Sequence, residues 1–167
     1  LAMGIDDKES DAMSIASILH DVGKLHLPES LLQKKQPLTK QEKKRIEQHT
    51  ISGEGILPKK PAFVLARRIA RSHHENWDGS GYPDGLRGEQ IPLAARIVRV
   101  VDVFDALVSW RPYKTGWPCD KAMNYLRQHA GTLFQPEIVD AFRHIVQCDG
   151  GDPIACVCVL SSDLSSK

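Results

Sequence analysis

No apolar run in this chain exceeds a handful of residues, far short of the ~20 that a membrane-spanning helix needs. No basic stretch followed by an apolar run opens it either, so no secretory signal is visible. An excess of charge is also lacking. Lys and Arg number 22 against 21 Asp and Glu, and such a balance argues against long nucleic acid or an anionic membrane as a partner. A small phosphorylated ligand needs only a local basic patch and stays open. Cysteines are few, Cys119, Cys148, Cys156 and Cys158, with no Cys-x-x-Cys pair. That spacing supports neither a zinc site nor a disulfide framework, and free thiols in a reducing cytosol are expected.

What is present suits one globular domain. The 167 residues are 41% hydrophobic and 26% charged, enough to bury a core and too apolar for disorder. Leu1 stands where an initiating Met would, so the chain is expected to be incomplete at its N-terminus.

Helical periodicity dominates. Met13, Ile15, Ile18, Leu19 and Val22 predict a buried helix that delivers His20 and Asp21 near its end, closed by Pro28. Thr39 with Glu42 three residues on forms a capping box for a helix through Lys43, Ile46 and His49. Ala62, Leu65, Ala66, Ile69, Ala70 and His73 share one face of the next, with Arg67, Arg68 and Arg71 turned away. Gly79, Gly81, Pro83, Gly85 and Gly88 then enforce a shaped loop. Pro92 opens a helix from Leu93 to Val108, Asp120 caps one that Gly131 stops, and Pro136 starts the last. A weak strand at 154–160 is the one extended candidate. The predicted fold is an all-α bundle.

Histidines and aspartates sit where such a bundle can pool them. His20 and Asp21 end one helix, His49 lies on another, His73 and His74 end a third, and Asp102 lies within a fourth. Imidazole nitrogen and carboxylate oxygen suit first-row divalent metals, and bundles build dimetal sites by drawing such donors from several helices. Neighbouring helical residues point about 100° apart. His73 and His74 therefore either lie where the helix ends or serve different parts of a larger site. A dinuclear centre accommodates both, with Asp21 able to bridge through its two oxygens.

Ordered motifs carry a resemblance. His20-Asp21-Val22-Gly23-Lys24 is similar to the HD-x-G-K motif of HD-superfamily phosphohydrolases, and His73 to Pro83 resembles the HHExxDGxGYP signature of the HD-GYP family. The likeness runs on through Ile91 to Ile97, Val101 to Leu107 and Arg111-Pro112-Tyr113-Lys114, and ends near Phe142. It implies an HD-type helical bundle with a GYP loop and C-terminal helices over residues 1–147, followed by a divergent, disordered tail over 148–167. It implies a phosphodiesterase that hydrolyses cyclic di-GMP to linear pGpG or GMP, with two, in some members three, iron or manganese ions. Family ligand positions fall on His20, Asp21, His49, His73, His74 and Asp102. The resemblance assigns catalytic roles to Asp21 and Lys24, phosphate contacts to Arg111 and Lys114, and a pocket-shaping role to Tyr82. Glu75 and Asp78 are expected to fix the loop, and Asp105 to accept a hydrogen bond from a ligand histidine. Signalling partners such as diguanylate cyclase domains and a cytoplasmic location go with the family.

Departures from the pattern are specific. Family members carry a further ligand histidine on a helix before the HD motif; only nineteen residues precede His20 here, and none is His. Thr50, Trp110 and Gln135 replace a usual Pro, acidic residue and Asp. Two alternatives therefore accompany the enzyme reading: an inactive domain that binds cyclic di-GMP or a protein, and an HD hydrolase of another nucleotide phosphate ester.

Overall fold

A computed structural model describes residues 5–110 and 115–146. Arg111, Lys114 and the tail beyond 147, including the strand candidate, lie outside the described residues. Within them the chain forms eight α-helices: α1 (Asp7–Ser17), α2 (Glu29–Leu32), α3 (Lys40–Glu47), α4 (His49–Ile56), α5 (Val64–Ser72), α6 (Leu93–Val108), α7 (Cys119–Gln128) and α8 (Pro136–Ile145). Among the described residues there is no strand, only an isolated bridge between Ala130 and Phe134. No described helix is long and apolar enough to cross a membrane. The all-α expectation holds.

Local chemistry explains most of the boundaries. The Thr39 hydroxyl accepts from the Glu42 N–H while the Glu42 carboxylate accepts from the Thr39 N–H, closing the expected capping box. Pro136 occupies the first turn of α8, where its missing N–H costs nothing. Pro92 precedes Leu93 at the head of α6, and this helix has the bounds read from its apolar pattern.

Three expectations about helix bounds need correction, and one about a cysteine. First, α1 stops at Ser17, and His20 and Asp21 lie in the turn that follows, ahead of a 3-10 segment over Val22–His26. Apolar spacing continues through this turn, so periodicity alone overextends the helix. Second, His49 opens α4 instead of extending α3: the helix is interrupted at Gln48, although that residue keeps right-handed helical dihedrals (φ −62°, ψ −17°). Third, Pro118 takes the cap position of α7 and Asp120 falls in its first turn. Cys119, expected as a free thiol, is buried and disulfide-bonded. A disulfide depends on proximity in space, which cysteine spacing does not report.

Two apolar clusters hold the helices. Val100, Phe104, Met123, Leu126, Phe134 and Phe142 fill the first, between α6, α7 and α8. Ala16, Leu57, Ala66, Ile69, Ala70, Ala94 and Val98 form the second, between α1, α5 and the start of α6. Since α6 belongs to both, it fixes Asp102 relative to the histidines of the N-terminal half.

Candidate metal centre

Close backbone approach brings the donors together. A Cβ on Gly23 would lie 1.9 Å from the His49 carbonyl oxygen and 2.5 Å from the Gly53 nitrogen. Only glycine lets the segment after Asp21 pack directly on α4. Gly81 has the same function in the following loop, where a Cβ would sit 2.3 Å from the Asn76 nitrogen. The loop is held from several sides. Glu75, buried, accepts from the N–H groups of Asp84 (2.8 Å) and Leu86 (3.1 Å), and burial raises its pKa. Asp78 accepts from the Ser80 N–H. Arg71 grips Asp84 with two parallel hydrogen bonds and Glu54 with a third. Trp77, with the Arg96 guanidinium 5.7 Å over its ring, donates through its backbone N–H to the Leu133 carbonyl.

Asp21, His49, His73 and His74 each offer a ligand atom, all within 4.8 Å of one another. His49 and His73 are fully buried. His20 joins from the other side, with Nε2 3.3 Å from Asp21 Oδ2. Asp102 stands at the edge, Oδ1 3.9 Å from His20 Nε2. The Lys24 ammonium donates to Asp21 Oδ2. Tyr82 stacks on His74, with ring centroids 4.9 Å apart.

The ring protons can be assigned from their partners. Nδ1 of His20 lies 2.7 Å from the Ser17 carbonyl oxygen, and Nδ1 of His49 lies 2.7 Å from that of Ile46. His73 Nδ1 faces the carbonyls of Ile69 and Ala70 at 3.1 and 3.0 Å. A carbonyl only accepts, so each Nδ1 carries a proton, and in the neutral tautomer each ring turns an Nε2 lone pair inward. These carbonyls come from the last turn before each histidine, which makes the arrangement a property of helix and turn ends. Asp105, expected to fill this role, instead accepts from the Ser109 hydroxyl.

The inward lone pairs then meet one another. His49 Nε2 and His73 Nε2 are 3.4 Å apart, and they lie 3.3 and 3.7 Å from Asp21 Oδ1. That oxygen is buried without a hydrogen-bond partner. Three acceptors converging with no donor among them is an arrangement that a cation resolves. Donor atoms about 2.0–2.2 Å from a shared ion stand at such separations from one another. The residues therefore fit a divalent metal. Asp21 also presents Oδ2 toward His20, so its two oxygens face two sets of donors.

Electrostatics agree with the donor count. Burial opposes charge on Asp21, but His20, His49, His73 and Lys24 more than offset it and hold the carboxyl far below the ordinary range. His20 is raised by Asp21, against the effect of burial. His74 is pushed down to about 2 by burial, with His73 and Arg99 adding to it, so its ring is neutral. Burial raises the Tyr82 hydroxyl, which stays protonated.

One participant was not read from the sequence. Arg99, three residues before Asp102 on α6, reaches Asn76 Oδ1 at 3.0 Å and His74 Nδ1 at 3.4 Å. Its spacing from Asp102 was the available signal, since i and i+3 share a helix face. Beside the centre an apolar cavity of about 600 Å³ runs between α1, α6 and α8, reaching His20, Asp102 and Asp105. Ile18, Val101 and Ile145 are exposed along it.

Comparison with known proteins locates this arrangement. The family model described as HD domain matches residues 1–138. The chain is 47% identical over 141 residues to the cyclic di-GMP phosphodiesterase response regulator RpfG of Xanthomonas campestris pv. campestris, covering 83% of this chain and 37% of that protein. It is 41% identical over 139 residues to the 3'3'-cGAMP-specific phosphodiesterase 2 of Vibrio cholerae, covering 82% and 27%. Among solved structures it resembles Bd1817, a HDG"Y"P protein from Bdellovibrio bacteriovorus, with TM-score 0.66 and 25% identity over 83% of this chain and 44% of that one. The chain thus spans less than half the length of these relatives.

Proposed function

Because the chain belongs to the HD domain family, we propose that it is the catalytic domain of a metal-dependent phosphodiesterase that hydrolyses cyclic di-GMP to linear pGpG or GMP. The observation that carries this reading is the convergence of His49 Nε2, His73 Nε2 and the orphaned Asp21 Oδ1. The identity to RpfG supplies the substrate class.

His20, Asp21, His49, His73, His74 and Asp102 would hold two, or three, divalent ions, iron or manganese. Bound there, such ions neutralise an anionic phosphodiester and lower the pKa of water so that it attacks at neutral pH. Asp21 serves both groups of donors through its two oxygens. The backbone carbonyls keep the Nε2 lone pairs of His20, His49 and His73 aimed inward, so no reorientation is needed on binding. Lys24 spends one N–H on Asp21 and has further donors on its exposed side for a phosphate oxygen. Arg111 and Lys114 are assigned to the phosphates, and Tyr82, stacked on His74, to the pocket wall. Residues 1–147 form the functional unit in this reading, with signalling proteins such as diguanylate cyclase domains as partners. A cytoplasmic location goes with it, and fractionation of cells tests that location.

The test is turnover of cyclic di-GMP by the full-length protein with Mn²⁺ or Fe²⁺, beside His20→Ala and Asp21→Ala. Both variants are expected to lose more than about 100-fold in rate, beyond the range typical of changes behind the ligands. Equal hydrolysis by all three rejects the metal mechanism, and binding without turnover favours a receptor. A second substrate, 3'3'-cGAMP, belongs in the same assay because of the Vibrio relative. Preference for it would move the proposal to that dinucleotide.

A further inference from the structure

Arg99 has no part in the chemistry described so far, yet its surroundings are unusual for an arginine. Two cations near the loop are matched by carboxylates: Arg67 by Glu54, and Arg71 by Glu54 and Asp84. Arg96, whose Nε is buried without a partner, lies over the Trp77 ring and donates to Gln135. Arg99 is partly buried, and its hydrogen-bond acceptors, the Asn76 amide oxygen and the His74 ring nitrogen, are both neutral. Its Nε is buried with no partner. Burial works against its charge and lowers its pKa, with Asp102 acting against that only at a distance.

A guanidinium taken out of water without a counter-anion is costly, and an arriving anion offsets that cost. Its position says which anion. Arg99 shares a face of α6 with Asp102 and touches His74, the ring on which Tyr82 stacks. Divalent ions held by the cluster would add positive charge next to it, leaving a negative group as the fitting occupant between them. The 3.4 Å contact to His74 is long for a hydrogen bond and easily exchanged, whereas the 3.0 Å contact to Asn76 keeps the side chain in place.

We propose that Arg99 is a further substrate-binding residue of this centre, its guanidinium holding a non-bridging oxygen of the phosphodiester. Arginine suits the task because its fork presents parallel N–H groups to phosphate oxygens. The proposal rests on the phosphodiesterase reading above.

Calorimetric titration of cyclic di-GMP into the full-length, Mn²⁺-loaded protein tests it, with steady-state kinetics and metal content measured alongside. Arg99→Ala is expected to weaken binding and raise KM about 10- to 100-fold, the range of a hydrogen bond to a charged group. Bound manganese should not change. Arg99→Lys should recover part of the loss and Arg99→Gln little, because charge is what the phosphate reads. Asn76→Ala should cost much less than Arg99→Ala.

Three results overturn the proposal. Arg99→Gln binding like wild type removes the need for charge. Asn76→Ala reproducing the full loss makes Arg99 a loop anchor. Loss of manganese in Arg99→Ala means that it acts through His74. These are distinct from failure of the underlying reading, in which the wild type itself neither binds nor cleaves a cyclic dinucleotide; the proposal falls with it.

Discussion

Between α6, α7 and α8 the core is filled by Phe104, Met123, Leu126, Phe134 and Phe142. Beneath the histidines the buried cluster is mostly small residues, Ala16, Ala66, Ala70 and Ala94 beside Leu57, Ile69 and Val98, with Gly23 seated on the backbone of α4. Side-chain size at a contact sets how far apart two backbones stand. Large residues give the C-terminal half its buried area and keep its helices apart. Small ones give the N-terminal half little area but let three backbone segments approach until imidazoles on different elements touch. Stability and site construction are therefore separated in space, with α6 as the shared element.

Substitutions can break that separation. Leu126→Ala, fully buried in the large-residue cluster, should cost about 2–5 kcal/mol in chemical denaturation while the folded protein binds manganese at wild-type stoichiometry. A loss of metal at full folding would show that the halves are not separable. Gly23→Ala should cost less, about 1–3 kcal/mol as overpacking does. It should nevertheless abolish tight metal binding, because relieving a 1.9 Å clash with the His49 carbonyl moves His49 from Asp21. Retained metal in a destabilised Gly23→Ala protein would count against the close-approach account.

The smallest effect lies away from both clusters, at the head of α3. Lys34, with the Thr39 N–H, holds the Glu42 carboxyl down to about 2 from its ordinary 4.5. A depressed carboxyl stabilises the fold fully above its unfolded value and loses that contribution as pH falls toward the folded one. Wild type should therefore lose a small increment of stability between pH 4.5 and 2 that Glu42→Gln does not lose. Thermal melts across that range check it, and identical slopes would remove the ion pair from the account.

Legibility followed the range of the interactions. The α3 capping box, the Pro92 and Pro136 starts and the buried face of α5 depend on residues three or four apart, and each was readable. The end of α1 was not, because Ile18 to Val22 continue an apolar pattern through a turn held by contact with α4. Asp105 was assigned to a histidine by spacing, whereas backbone carbonyls occupy the Nδ1 atoms of His20, His49 and His73 and Arg99 faces that of His74. Arg99 was passed over because nothing adjacent to it marks a buried cation.

The amino-acid sequence by itself determined which donor atoms this protein possesses, that they ride on helices and turns, and where glycine permits a tight loop. Only the tertiary structure decided that Asp21 faces two donor sets, that three imidazoles point their lone pairs inward, and that Arg99 lies beside them without a counter-anion. The reason is physical: hydrogen-bonded turns are closed by near neighbours, whereas the meeting of α1, α4, α5 and α6 depends on packing between segments distant along the chain.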